Sequence, residues 1–163
     1  MTAIQPTRKD IAEFFRLGLL AGVCDLPSIV RWADGIIASE ASPPFAFLDL
    51  SICESQPVSA VVNLLATVPG EPTPDFAVQM LLGHCSRLAR SGALHATDAL
   101  VRLFRMAIAE DFPDSIYIEL VWQEDAFALA RDRVYGSLPE VEQSFTEYLS
   151  TFSSYAPQHS TAP

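Results

Sequence analysis

His84, Cys85 and His95 are the residues of this sequence whose types come nearest to a metal or nucleophile site. His84 and Cys85 are adjacent, and His95 follows ten residues after Cys85. Adjacent side chains of a helix point about 100° apart, whereas zinc sites use convergent pairs such as CxxC or HxxxH. No third group orients the histidine toward the thiol. We therefore expect no metal site and no Cys-His nucleophile, and we interpret Cys85 as a core residue.

Six carboxylates crowd one segment of sixteen residues, and Trp122 lies among them. Paired carboxylates can act as acid and base or hold Mg²⁺, but such sites place them among polar or histidine partners in an apolar cleft. The calcium-loop pattern is absent. We expect a solvated acidic surface or a protein-binding patch, because an exposed Trp ringed by charge resembles an interface anchor. The candidate partner-binding residues are Glu110, Asp111, Asp114, Glu119, Trp122, Glu124 and Asp125.

Four arginines, Arg87, Arg90, Arg102 and Arg105, form the one basic cluster. Spacings of three place each pair on one helix face, where an anion could be held, although Glu110 and its neighbours can neutralise the cluster within the fold. The sequence has no glycine-rich phosphate loop, dinucleotide fingerprint or nucleophile elbow. We expect no catalytic residue and no cofactor.

Positive charge is missing from long stretches of the chain. The formal net charge is −10, and no Lys or Arg occurs between Arg31 and Arg87 or from Met106 to Ala130. Affinity for a nucleic-acid duplex comes mainly from neutralising phosphates. The charge therefore excludes nucleic acid as the expected partner and favours a basic protein.

Length and composition indicate one globular domain. The chain has 163 residues, of which 50% are hydrophobic and 18% charged, enough apolar surface for a core. No apolar run reaches the roughly 20 residues of a membrane span, and the N-terminus lacks a signal-peptide pattern. Three unevenly spaced cysteines, Cys24, Cys53 and Cys85, suit reduced, buried thiols. We expect a cytoplasmic protein without a membrane partner.

Helix-start signals alternate with breaks in the first half of the chain. Thr7 precedes an apolar face at helical spacing that ends at Gly22, and Asp25 opens a second helix. Two prolines then break the chain before residues 45–52, which fit a short helix better than a strand because no second strand lies nearby. A further helix is predicted after Pro57.

The second half of the chain has clearer helix signals. A Thr-Pro-Asp sequence starts the helix predicted over 76–90. The apolar face of the next predicted helix consists of Ala99, Leu100, Leu103, Phe104, Ala107 and Ile108. In residues 114–136, apolar and acidic side chains compete, so we expect one broken helix or two short ones, capped by Asp114 or Ser115. Ser137 and Glu140 form a capping box before the last helix.

The predicted architecture is all-α, because no segment offers paired strands. Short connections favour antiparallel neighbours, so we expect an array of about seven or eight antiparallel helices without a sheet. We interpret residues 1–155 as a single helical domain. Residues 156–163 offer nothing to pack and are predicted to form a disordered tail.

Residues 15–22, FRLGLLAG, and residues 30–34, VRWAD, carry a family resemblance. Together they resemble the opening of a group of small, uncharacterised bacterial all-helical proteins. The segment 134–136 before the capped final helix is also similar. The resemblance implies a bacterial cytoplasmic helical fold. It brings no known activity, so no catalytic residue is carried over.

These observations favour a non-enzymatic acidic binding protein. An inhibitor of a cationic toxin gains association rate from opposite charge and needs no chemistry of its own, so a bacterial immunity protein with a basic toxin partner is the leading hypothesis. The second is a structural or regulatory adaptor that uses an apolar groove between helices. The third is a small-ligand binder or enzyme with a site near Arg87, Arg90 and His84. The sequence leaves the oligomeric state open.

Overall fold

The structure, a computed structural model, describes residues 5–158, and all regular structure in that range is helical. The eight α-helices are α1 (Arg8–Ala21), α2 (Leu26–Ser39), α3 (Phe45–Leu50), α4 (Val58–Ala66), α5 (Phe76–Arg90), α6 (Ala96–Ala109), α7 (Asp114–Arg131) and α8 (Leu138–Ser150). Short 3-10 turns lie at Cys53–Ser55 and Ser153–Tyr155. The prediction of an all-α fold without a sheet is confirmed for these residues. None of their helices is both long and apolar enough to cross a membrane.

The chain divides into two compact units. The first comprises the residues up to Ala77, just inside α5, together with Gln158, and the second covers Val78–Pro157. The interpretation of residues 1–155 as a single domain stays a prediction. The predicted tail at 156–163 lies outside the described residues from 159 onward.

Helix boundaries in the first unit coincide with the predicted capping residues. Thr7 is the N-cap of α1, and Gly22 ends that helix with a left-handed φ of 68°. Asp25 caps α2 by accepting a hydrogen bond from the Ser28 N–H at 2.9 Å. The segment 45–52 begins with helix α3 and not with a strand, as predicted. Local signals therefore set these boundaries.

A row of aromatic rings forms part of the core of the first unit. Ring centroids lie 5.2 Å apart between Phe14 and Phe15, 5.4 Å between Phe15 and Trp32, and 5.2 Å between Trp32 and Phe47. All four side chains are buried. The row joins α1, α2 and α3, so these helices share one packed interior.

A buried carboxylate, Asp10, joins the start of α1 to the segment before α5. Its Oδ2 accepts the Thr7 N–H and hydroxyl, each at 2.8 Å, and the Thr73 hydroxyl at 3.0 Å. Its Oδ1 accepts the Thr73 N–H at 2.6 Å. Burial alone raises the pKa of Asp10, but these four hydrogen bonds outweigh it and hold the pKa below its usual value. The carboxylate is therefore charged and well paired.

Helix α5 is buried over much of its length in the second unit. Every residue from 80 to 86 is buried, which is the pattern of a helix with protein on all sides. Helices α6, α7 and α8 pack against one another. The large, fully buried side chains of this unit include Leu81, Leu82, Leu100, Leu103, Leu120 and Phe145.

Gly83 lets the backbone of α5 come close to the chain around the last 3-10 turn. A Cβ atom at Gly83 would lie 2.5 Å from the carbonyl oxygen of Phe152 and 2.7 Å from the backbone nitrogen of Ala156. Both are main-chain atoms, so a larger side chain cannot be accommodated by a rotamer change. The backbone of Ala156, where the predicted tail begins, thus lies against α5.

We expect Gly83→Ala to lower the free energy of unfolding by about 2 kcal/mol, because the added methyl group forces backbone movement. Gly35→Ala is the matched control, since nothing lies within 4 Å of a Cβ atom at Gly35. In the middle of α2, that substitution should stabilise the protein by up to about 1 kcal/mol. Urea unfolding measures both variants. Equal stabilities would contradict the close approach at Gly83.

Three expectations from the sequence need correction. The segment from residue 114 forms one helix of 18 residues, α7, and the prediction of a broken helix or two short ones was wrong. The segment contains neither Gly nor Pro, so nothing interrupts its backbone hydrogen bonds. Its N-cap is Pro113, and Asp114 is the first helical residue. Cys24 is only half-buried, whereas Cys53 and Cys85 are buried as expected.

Candidate functional site

One face of α7 leaves large apolar side chains in solvent. Trp122 is 71% exposed, Ile118 is 53% exposed and Leu129 is 42% exposed. Together with the exposed Asp125, they recur at intervals of three or four residues. At 100° per residue this spacing places the four side chains within an arc of about 60° around the helix axis. We call the row of Ile118, Trp122, Asp125 and Leu129 the outer stripe of α7.

The opposite side of α7 anchors the helix in the second unit. Ile116, Leu120 and the amide of Gln123 are buried there. The Gln123 Nε2 donates to Glu119 Oε1 at 2.8 Å and to Ser144 Oγ of α8 at 3.1 Å. These contacts fix the rotation of α7 about its axis. The outer stripe therefore faces away from the core.

The apolar surface continues past the C-terminus of α7. Arg133 adopts a left-handed φ of 58°, which turns the chain so that the Val134 N–H donates to the Leu129 carbonyl at 2.9 Å. Val134 and Tyr135 follow with exposed side chains. Such a turn normally brings the residue after it close to the last turn of the helix. We call the outer stripe together with Val134 and Tyr135 the α7 surface.

Three of the predicted partner-binding residues lie along this row. Trp122 and Asp125 belong to the outer stripe, and both are exposed. Asp114 is exposed at the first position of α7, four residues before Ile118 and therefore on the same side of the helix. An aromatic anchor and two carboxylates are thus presented on one face.

The other four predicted residues lie elsewhere. Glu119 is half-buried and bonded to the Gln123 amide. Glu124 is half-buried. The hydrogen bond and the charge of Asp132 raise the pKa of Arg131, and the charge of Glu124 raises it further. The last two precede α7: Glu110 is the C-cap of α6 and Asp111 is exposed in the connection.

Sequence reasoning missed four apolar members of the α7 surface, because apolar residues in a helix usually belong to the core. These are Ile118, Leu129, Val134 and Tyr135. A signal was present in the spacing. Ile116 and Ile118 are two residues apart and point about 160° away from each other, so a single core face cannot bury both.

His84 and Arg87 form a contact within α5. Arg87 Nη2 lies 2.7 Å from His84 Nδ1. Because a guanidinium has only donors, Nδ1 is the acceptor in this contact. Burial raises the pKa of Cys85 to about 12, against a smaller opposing effect of the Arg102 charge. The thiol next to His84 is therefore protonated at neutral pH.

A small pocket of about 230 Å³ lies in the second unit beside the turn after α5. His95, Glu142 and Thr146 supply polar groups to its wall. None of the residues named for the small-ligand hypothesis, His84, Arg87 and Arg90, lines this pocket. Within residues 5–158, no group of three or more His, Cys, Asp or Glu side chains could hold a metal ion.

The native protein is expected to offer at most one reactive thiol. Cys53 and Cys85 are buried, and burial raises the pKa of both, so their thiolate forms are scarce. Cys24 is half-buried. Ellman's reagent at about pH 8 should titrate no more than one thiol per chain in the native protein and all three in denaturant. Rapid reaction of two or more native thiols would contradict this burial.

Comparison with models of protein families, with curated proteins and with solved structures finds no match.

Proposed function

We propose that this chain is a non-enzymatic acidic binding protein and that its partner docks on the α7 surface. Trp122 is the observation that carries the proposal, because 71% of this large side chain is in solvent. Ile118 and Leu129 extend the apolar row on either side. Covering such side chains removes apolar area from water, and Trp is enriched among residues that dominate binding energy.

Charge favours a basic partner for this surface. The chain carries a net charge of −10, and Asp114 and Asp125 lie along the exposed face of α7. Arg131, the single basic residue in the sequence of α7, forms an ion pair with Asp132 at 3.0 Å. Opposite charge accelerates association, whereas like charge penalises acidic partners. A phosphate backbone is disfavoured for the same reason.

Within this class, the proposal is a bacterial cytoplasmic immunity protein that neutralises a basic toxin such as a nuclease. Enzymes that bind nucleic acid carry positive surfaces, because they must neutralise phosphates. An acidic protein with an aromatic anchor can cover such a surface without any chemistry of its own. The support is the charge of the chain and the exposed anchor.

The composition of the outer stripe supports a second candidate, a structural or regulatory adaptor. Three of its four residues are apolar, so an apolar partner surface could supply most of the contact. Binding dominated by apolar contact depends little on salt, whereas binding to a basic partner weakens as salt screens the charges. Salt dependence therefore separates the two candidates.

The test is calorimetric titration of this protein with the product of the adjacent reading frame, between about 0.05 and about 0.5 M salt. The immunity proposal expects binding that weakens about tenfold or more over this range. Affinity that does not change with salt would instead favour the adaptor. Failure to bind at low salt would remove the basis of the immunity proposal.

A further inference from the structure

The outer stripe of α7 has the spacing of a coiled-coil seam. Ile118, Trp122, Asp125 and Leu129 follow one another at intervals of four, three and four residues. That alternation is the one by which two helices meet along a shared seam. At 1.5 Å per residue the row is about 16 Å long, which is three turns of a partner helix.

Small side chains border the outer stripe on one side. Ser115 and Ala126, both exposed, lie three turns apart on one side of the outer stripe, and the half-buried Glu119, bonded to Gln123, lies between them. The two small side chains border Ile118 and Trp122. Knobs from a facing helix insert between four residues of the helix they contact, so small flanking residues favour that approach. A narrow row with this border fits a helix better than a broad flat surface.

Asp125 determines what the facing helix must carry. It lies in the row between Trp122 and Leu129, both apolar. A helix packed along the stripe would remove water from this carboxylate, and a buried charge without a partner is costly. A single polar residue in an apolar seam also fixes the register of two helices. The docked element therefore needs a Lys or Arg at the facing seam position.

On the basis of the proposed function, we infer that the partner docks through one basic amphipathic α-helix. The seam of that helix carries a cation opposite Asp125. A second copy of this chain does not meet that requirement. Its α7 would bring the same Asp125 and Asp114 carboxylates to the contact, and the chain as a whole carries −10. Like charges at close range disfavour such a pair.

The test uses two peptides of about 20 residues, long enough to form a helix on binding. Both have Leu at the seam positions and Lys on the flanks, and they differ only at the central seam position, which is Lys in one and Glu in the other. Trp122 reports binding through a blue shift of its emission, while Trp32, which is 8% exposed, supplies a constant background. A scrambled peptide of the same composition controls for charge alone.

We expect the Lys peptide to bind the full chain at least about tenfold more tightly than the Glu peptide, and the Asp125→Lys variant to reverse that order. Asp34→Lys is the matched control, because Asp34 is an exposed carboxylate of α2 and the change in net charge is the same. It should keep the order of the unmodified protein. Asp125→Asn, which changes little in shape, should make the two peptides bind about equally.

Equal effects of Asp125→Lys and Asp34→Lys, or tight binding of the scrambled peptide, would overturn the helix inference. Those results would leave the proposed function standing if the full partner protein still binds and still requires Trp122. The proposed function itself would be contradicted if Trp122→Ala left the affinity for the partner protein unchanged.

Discussion

Replacing Asp10 with alanine is expected to lower the free energy of unfolding by about 3 kcal/mol. The substitution leaves two backbone N–H groups, of Thr7 and Thr73, without the carboxylate that accepts from them. Hydrogen bonds to a charged group each contribute about 1.5 to 3 kcal/mol, and a buried donor without a partner is costly. The loss also releases the segment before α5 from the start of α1. Urea unfolding measures the effect.

The control for Asp10→Ala is Asp34→Ala, which removes an exposed carboxylate from α2 and should change stability by less than about 0.5 kcal/mol.

The contribution of Asp10 also depends on pH. Its pKa is lower in the folded chain than in the unfolded chain, so the stabilisation is complete above the unfolded pKa near 4. It is lost as the pH falls through the folded pKa. A stability difference between Asp10→Ala and the original protein that is as large at low pH as at neutral pH would contradict this assignment.

Trp122→Ala is expected to weaken binding of the partner protein by about 30-fold, or about 2 kcal/mol, the usual size for a central aromatic anchor. Its effect on unfolding should be small, because 71% of the side chain is already in solvent. Calorimetric titration gives the affinity, and urea unfolding checks the fold.

The matched control for Trp122→Ala is Phe45→Ala in α3. Phe45 is also an exposed aromatic residue, but it belongs to the first unit and not to the α7 surface. Its removal should leave the affinity within about twofold of the original value. Equal losses for the two variants would place the contact elsewhere or spread it over many residues.

Local signals account for much of the fold that the sequence predicts. Thr7 and Asp25 lie at helix starts, where their side chains accept hydrogen bonds from N–H groups that the helix leaves open. At the start of α8, the Glu140 carboxylate accepts the Ser137 N–H. The single helix over α7 was missed because competing acidic and apolar residues resemble a break in the pattern. The absence of Gly and Pro was the better guide.

The rest of the fold could not be predicted, because it depends on contacts between residues that are far apart in the sequence. The four hydrogen bonds to Asp10 include two from Thr73, which is 63 residues away in the chain. No periodicity or cap connects two such positions. The backbone approach at Gly83 is equally invisible in the sequence, because it depends on where Phe152 and Ala156 are folded.

The candidate site was predicted in part. Trp122 stood out in the sequence because it lies among carboxylates, and the structure does place it in solvent. The clustering of carboxylates in the sequence did not show which of them share the helix face of Trp122. Asp125 is on the outer stripe, but Glu119 turns toward Gln123, because rotation about the helix axis is fixed by packing against α8.

The most direct measurement of the central claim is fluorine NMR of this protein labelled with fluorotryptophan and titrated with its unlabelled partner. The chain has two tryptophans, so Trp32 in the core serves as the internal reference for Trp122. We expect the Trp122 resonance to shift and to lose its sensitivity to the exchange of H₂O for D₂O, while the Trp32 resonance stays in place. A saturated complex in which the Trp122 resonance keeps its position and its solvent sensitivity would contradict docking on the α7 surface.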